Sequence, residues 1–542
     1  MTCSVTTKTL AVCFVSLMAT SHSWAQTAPP TTAEPHPGMW SFDGELSGQP
    51  GRSLHLDTQL GRAIIVSYLG YRANGTALFL QASGVRDADE SSFVGPLQEF
   101  RSGPVIGGRS ANGEVAGSPG NIRVAFDTPS SGTVTLPGDV PRRISRFNLN
   151  DAASRELPFR ESVFSLHANP NESGVVPGSY RVQVKDGTFR MSQVSTTTGV
   201  LCTYAGPYQV QAQGLESQGV STCTDASGVQ RQQPYRLERL SVDQLGRVTG
   251  SMQQGDSDGI LLGICSPDAP ALATGPFTCV QGPNFTTVQP GMWAFDEELD
   301  GQPGRSLQID LQNRDSATVV SYVGYRSDGS SLFLQGVSAS KFAVRVLYST
   351  PLREYRNGPV IGGAIQAGEE AATLGEMQFE FDSATTGTVT LPSESPRRIS
   401  RYRYENHATR FDKAYDVVVY PYGRSEGVVT FADIVARDDE FRMDTQVPST
   451  GVNCQYRGAY RLTGEGLTSD GTRTCTDGAG TATTEAYSAE QFTVDGNGIL
   501  RGVIIEVAGY DARGVAQRRA NLYLGSCPGF RKCSPAELDQ PR

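Results

Sequence analysis

Lysine is nearly missing from this chain of 542 residues: of 46 basic residues only five are lysine. Histidine is also scarce. Beyond the N-terminal segment only His36, His55, His167 and His407 occur, and none recurs in the internal repeat described below, where Gln308 stands in place of His55. This argues against a serine–histidine nucleophile or a histidine-rich zinc site as a function common to both halves, and leaves open that one unit carries it alone. No G-x-S-x-G, H-E-x-x-H, phosphate-loop or dinucleotide-binding signature is present. The formal net charge of −10 argues against nucleic acid and against an anionic membrane surface.

Long apolar runs are missing as well. The longest, Leu10–Ala19, follows Lys8 and precedes Ser23-Trp24-Ala25, which places small residues at −3 and −1. Ten positions are too few for a membrane span, so residues 1–25 read as a signal peptide cleaved after Ala25. The chain is expected to be exported, to the periplasm or beyond the cell, with no membrane insertion. Cys3 and Cys13 leave with the signal. Eight cysteines remain, an even number that reads as disulfides in an oxidising compartment.

What the sequence has in abundance is repetition. "PGMWSFDGELSGQPGRSL" from Pro37 returns as "PGMWAFDEELDGQPGRSL" from Pro290. "VSYLGYRANGTALFLQ" from Val66 returns from Val320, and "GPVIGG", "GTVTLP" and "PRRISR" each occur twice. A second set follows, with "LCTYAGPY" at Leu201 answered by "NCQYRGAY" at Asn453. One two-module unit has therefore been duplicated in tandem. The modules are A1 over 37–151, B1 over 160–266, A2 over 290–406 and B2 over 413–528, with a linker over 267–289.

Gly 60 and Pro 31, with abundant Ser, Thr and Val, predict an all-β fold of short strands and turns. Module A1 shows eight runs, around Trp40, Leu54, Val66, Phe79, Leu97, Val124, Val134 and Ile144. Such a meander fits an up-and-down barrel or a β-sandwich, and the sequence leaves both closures open. Asn74-Gly75 and Asp328-Gly329 suggest type I′ hairpin turns. The strand Ile64–Tyr71 is apolar on both faces, which predicts cover on both sides.

The cysteines belong to the B modules. Cys202 and Cys223 are spaced like Cys454 and Cys475, which suggests a bridge between adjacent strands in each. Cys265 with Cys279 and Cys527 with Cys533 would then pin the end of each unit. Three pairings per unit are formally open.

The G-M-W, S-G-x-x-G-R and G-P elements, with the C-x-Y-x-G-x-Y companion module, resemble a repeat of exported bacterial proteins of uncharacterised function. This chain has fewer tryptophans in its A modules than that pattern. The resemblance implies export and tandem β architecture and brings no catalytic residues. Gly-x-Trp at the head of an eight-strand meander also resembles the opening of lipocalin and avidin barrels, where the ring packs at the closed end.

Three candidate sites follow. Trp40, Tyr68 and Tyr71, with Trp293, Tyr322 and Tyr325 as their copy, suggest an aromatic ligand platform, against which core packing weighs more heavily. Asp43 and Glu45, matched by Asp296 and Glu298, suggest an acid–base pair or, with Glu297 and Asp300, a calcium site; a solvated turn is the simpler reading. Arg142, Arg143 and Arg146, matched by Arg397, Arg398 and Arg401, suggest solvated strand-edge ion pairs rather than an anion fork. No metal or cofactor is implied.

The expected function is that of a non-catalytic tandem β protein that binds a protein, glycan or small-molecule partner or supports the envelope. The alternatives are a small-ligand carrier with pockets in the A modules and, least favoured, a carbohydrate-active hydrolase.

Overall fold

The computed structural model describes residues 35–540 apart from 150–155, 168–176, 266–287 and shorter intervals. The segment expected to be a signal peptide and nearly all of the expected linker lie outside the described residues. The rest forms four closed barrels, each of eight antiparallel strands. They run from Gly38 to Arg146, Ser162 to Cys265, Gly291 to Arg401 and Lys413 to Ser526. In barrel A1 the strands are β1 (Gly38–Phe42), β2 (Ser53–Thr58), β3 (Ala63–Tyr71), β4 (Ala77–Val85), β5 (Ser92–Arg101), β6 (Glu114–Thr128), β7 (Ser131–Thr135) and β8 (Arg142–Arg146). They pair in chain order, and β1 closes on β8 with Trp40 opposite Arg146. Closure as a barrel, rather than as a sandwich, removes every free sheet edge.

Alternation fills each interior. Trp40, Leu54, Val66, Tyr68, Phe93 and Val124 are among the buried side chains inside A1. Trp40 meets Phe126 edge to face at 5.8 Å and donates its indole N–H to the His36 carbonyl at 3.0 Å. Trp293 repeats both contacts with Phe381 and Gln289.

The hairpin turns differ from the sequence expectation. Only Gly75 and Gly329 take positive φ, +84° and +83°, while Asn74 and Asp328 do not. Gly75 N–H donates to Arg72 O and Arg72 N–H to Thr76 O, which is a type I turn followed by a left-handed glycine. The Asn74 side chain accepts from the Thr76 N–H instead of entering the left-handed region.

Strand β3 is covered on both faces, as its pattern requires, and the outer cover is the other A barrel. Leu69, Tyr71 and Phe79 share an apolar layer with Val323 and Phe333. This interface is pseudo-two-fold. Tyr71 bridges to Val360 while Val105 bridges to Tyr325. Gly368 N–H donates to Pro50 O, and Gly113 N–H to Pro303 O. Arg146 pairs with Asp310 through both guanidinium nitrogens, one of them at 3.0 Å. Arg401 pairs with Asp57 at 2.6 and 2.9 Å. Arg146 and Arg401 are thus buried cross-barrel partners, which corrects their reading as solvated; Arg142 and Arg143 do make the expected local pairs with Asp139 and Asp127.

The repeated glycine of "GPVIGG" serves the same interface. A Cβ on Gly358 would overlap the Tyr71 ring, and one on Gly103 would overlap the Tyr325 ring. The B barrels meet through a second layer, in which Ile260 and Leu262 of B1 face Val418, Leu522 and Leu524 of B2. Cys202–Cys223 and Cys454–Cys475 join directly opposed residues of neighbouring strands, and Cys527–Cys533 closes the C-terminal segment. Cys265 is also disulfide-bonded; its expected partner Cys279 lies outside the described residues.

Three outcomes are expected. Asp57→Ala leaves Arg401 buried without its counter-charge and lowers unfolding free energy by about 3–5 kcal/mol in urea titrations. Gly358→Ala overpacks the Tyr71 contact and costs about 1–3 kcal/mol by the same measurement. His55, buried beside Ser321, is brought down to about 4 by burial, with Asp310 opposing and Arg146 adding to the shift. The unfolded chain therefore binds more protons between that value and the ordinary one near 6.5. Its contribution is intact above about pH 6.5 and is lost as pH falls towards 4, on the order of 3 kcal/mol in all. His55→Gln, which installs the residue of the second copy, is expected to lose that much less stability between pH 7 and pH 4.

Candidate functional site

Each aromatic trio is divided between a barrel interior and the layer between barrels. Trp40 and Tyr68 lie inside A1, and Trp293 and Tyr322 inside A2, all fully buried among apolar side chains. Tyr71 points out of its barrel into the layer between A1 and A2, and Tyr325 is its pseudo-symmetric counterpart against Gly103. Each indole packs edge to face on a phenylalanine of its own barrel, Phe126 or Phe381.

The carboxylate candidates separate too. Asp43 is exposed, whereas Glu45 is buried and receives Arg52 Nε at 2.9 Å and Nη2 at 2.5 Å. Arg52 also reaches Asp139 at 3.2 Å and lies over the Phe42 ring at 4.6 Å. Glu298, Arg305, Glu394 and Phe295 repeat the cluster in A2. The solvated turn expected at Glu45 is thus a buried ionic cap on the barrel end. The "SGQPGR" repeat encodes this cap, because its arginine must reach back seven residues to the glutamate. Glu297 pairs with Arg397, and among the described residues no group of His, Cys, Asp and Glu is placed to hold a metal ion.

Barrel B2 contains a buried polar network that the sequence reading missed. Glu506 accepts from Arg473 at 2.6 Å, from Arg519 at 2.8 Å and from the Tyr456 hydroxyl at 3.3 Å. Tyr456 and Tyr523 join hydroxyls at 2.9 Å. B1 holds a neutral version in which Tyr204 donates to Gln254, whose amide donates to Ser221. A lone glutamate inside the apolar strand Leu500–Tyr510 is the signal that marks such a network. Its groups satisfy one another, so it serves the core.

The open site lies elsewhere, on the outer face of B1. A cleft of about 560 Å³ is walled by B1, by the A1 hairpin at Thr128 and Pro129, and by the B2 turn at Gly496 and Asn497 with Lys532 and Cys533. That volume is ordinary for a small-ligand site. Strands Gly214–Thr224 and Gln230–Val242 supply Glu216, Gln218, Arg236, Glu238 and Arg239. A bulge between Glu238 and Ser241 carries Arg239 at φ +52°; such bulges re-aim side chains. On the far wall the Cys527–Cys533 bridge, and the bond from Cys533 N–H to Asn497 O at 3.0 Å, hold the segment that bears Lys532.

The cleft is charge-balanced, with Glu216, Glu238 and Asp258 against Arg236, Arg239 and Lys532. Arg236 pairs with Glu238 at 2.8 Å. The Glu216 side chain is half-buried and makes no hydrogen bond or ion pair among the described residues. Burial first, then the Glu238 charge, push its carboxyl upward, against Arg239 and Arg236. The Lys532 ammonium likewise has no partner among the described residues. Strand register places Thr468, Ser488 and Gln491 of B2 where B1 has Glu216, Arg236 and Arg239. These three charges are specific to B1, whereas Glu238 is matched by Glu490. Conversely, no helix of the described residues is long and apolar enough to cross a membrane.

In comparisons with family models, with curated proteins and with solved structures, no match is found. The site therefore stands on its own chemistry. Cys533→Ser, which frees the far wall, is expected to raise hydrogen exchange at Asn497 and Lys532 while leaving exchange inside barrel A1 unchanged.

Proposed function

We propose that the protein is an exported, non-catalytic binding protein, and that the cleft between A1, B1 and B2 takes a polar ligand that carries both hydrogen-bond donors and acceptors. The observation that carries this reading is the pair of half-buried groups of opposite sign, Glu216 and Lys532, which line one cleft with no side-chain hydrogen bond or ion pair among the described residues. A half-buried carboxylate without a partner costs free energy, and a ligand donor would recover it. Gln209, Gln218, Gln253 and Asn497 add carboxamides, and Tyr208 adds an aromatic ring. That combination suits a neutral or zwitterionic glycan or peptide better than a strong anion or an apolar molecule. Export is supported by the N-terminal segment, by the disulfides and by the resemblance to tandem-repeat exported proteins.

An apolar-ligand carrier has less support, because Trp40 and Trp293 are fully buried among apolar side chains of their own barrels. A hydrolase has less still, because Glu45 and Glu298 are held by arginines. The test is a glycan- and peptide-array screen of the full chain, followed by calorimetry. Glu216→Gln and Lys532→Ala are each expected to weaken the selected ligand about tenfold or more, with unfolding midpoints changed little. Binding that both variants retain in full places the site outside the cleft.

A further inference from the structure

The contacts between A1 and A2 come in pairs, and both members of each pair are present in each half of the chain. Asp57 meets Arg401 and Asp310 meets Arg146, yet Asp57 and Arg146 belong to one unit, Asp310 and Arg401 to the other. Tyr71 packs on Gly358 and Tyr325 on Gly103; unit 1 holds Tyr71 with Gly103, and unit 2 holds Tyr325 with Gly358. His55 faces Ser321 and Gln308 faces Ser67. The backbone contacts repeat the arrangement: Ser102 N–H donates to Gly329 O and Asn357 N–H to Gly75 O. A surface in which residue i meets j while j meets i is isologous, the form of a two-fold dimer. Each unit therefore carries a complete self-complementary face.

We propose that this face is a self-recognition surface whose fitting partner is a second copy of the same unit, so that the chain is a covalently joined form of a homodimer and its units can pair between molecules. This goes beyond the ligand reading and does not depend on it. The B barrels set the preference among pairings. Register places Thr249 and Arg501 at equivalent positions, and Arg501 donates to the Thr249 hydroxyl at 2.8 Å across the B1–B2 contact. A position that touches its own equivalent lies beside the two-fold axis. In a pair of first units threonine would meet threonine; in a pair of second units arginine would meet arginine, a like-charge contact in a part-buried setting. The present pairing of unlike units avoids that repulsion, and the first unit is the better self-partner.

The test starts from the folded, oxidised full chain with a protease site inserted between Gln281 and Thr287. After cutting, native mass spectrometry is expected to find the two units held together at micromolar concentration. Separation in mild urea and remixing with isotope-labelled first unit should give the mixed pair, a first-unit homodimer and a weaker second-unit homodimer. Asp57→Asn removes one ion pair from the mixed dimer and both from the first-unit homodimer. It should raise the dissociation constant of the mixed dimer by a factor on the order of 30 or more, and that of the homodimer by the square of this factor. Arg501→Thr should strengthen the second-unit homodimer. Mixed pairs alone, equal Asp57→Asn effects on the two dimers, or loss of folded barrels in both units on parting would each overturn the proposal.

Discussion

Two buried arginine–aspartate pairs, related by a pseudo-two-fold axis, tie the molecule together. Taking four charges out of water is costly, and burial pushes the Asp57 carboxyl upward even with Arg401 beside it. Such pairs contribute little surplus stability; what they supply is a unique arrangement, because a mismatched charge there is far more costly than a matched one. Each guanidinium also donates to carbonyls of its own barrel: Arg146 to Met39 and Phe147, Arg401 to Met292 and Tyr402. One side chain thus fastens the first strand, the closing strand and the neighbouring barrel. The repeated "GMW" and "PRRISR" are the two ends of that fastening.

The B barrels are positioned by this anchorage together with their own apolar contact, in which Ile260 and Leu262 face Leu522 and Leu524. Their placement brings the Asn497 turn of B2 up to the B1 wall. The cleft exists because three barrels are held in one arrangement. Its charges sit on the outer face of strands whose inner residues, Leu215, Tyr235 and Leu237, are buried in the barrel core, so charge could enter there without disturbing the fold.

What the sequence made legible was local. The eight runs of A1 are its eight strands, because alternation and turn residues act within a few positions. The adjacent-strand disulfides followed from equal spacing. The interface was hidden by distance along the chain: Arg146 and Asp310 are 164 residues apart, Arg401 and Asp57 344. Asp57 and Asp310 lie in strands that read as ordinary β segments, and nothing nearby marks them as ion-pair partners. The same gap made Tyr71 resemble a ligand contact, when its two-sided apolar strand already called for a cover. Glu45 looked solvated because Arg52 reaches it only once the intervening turn folds back. The hairpin glycines were legible as turn formers, but the conformation of Asn74 was not, since its side chain satisfies the Thr76 amide in a competing way.

The Thr249–Arg501 contact shows what joining two units in one chain permits. Where identical units meet across an axis, any substitution beside it faces its own copy, so a charge there repels itself. In this chain the two sides differ: arginine on one side donates to threonine on the other, and Glu216, Arg236 and Arg239 of B1 stand where B2 has Thr468, Ser488 and Gln491. Covalent joining lets each side of the axis hold chemistry that a pair of identical chains would have to hold twice.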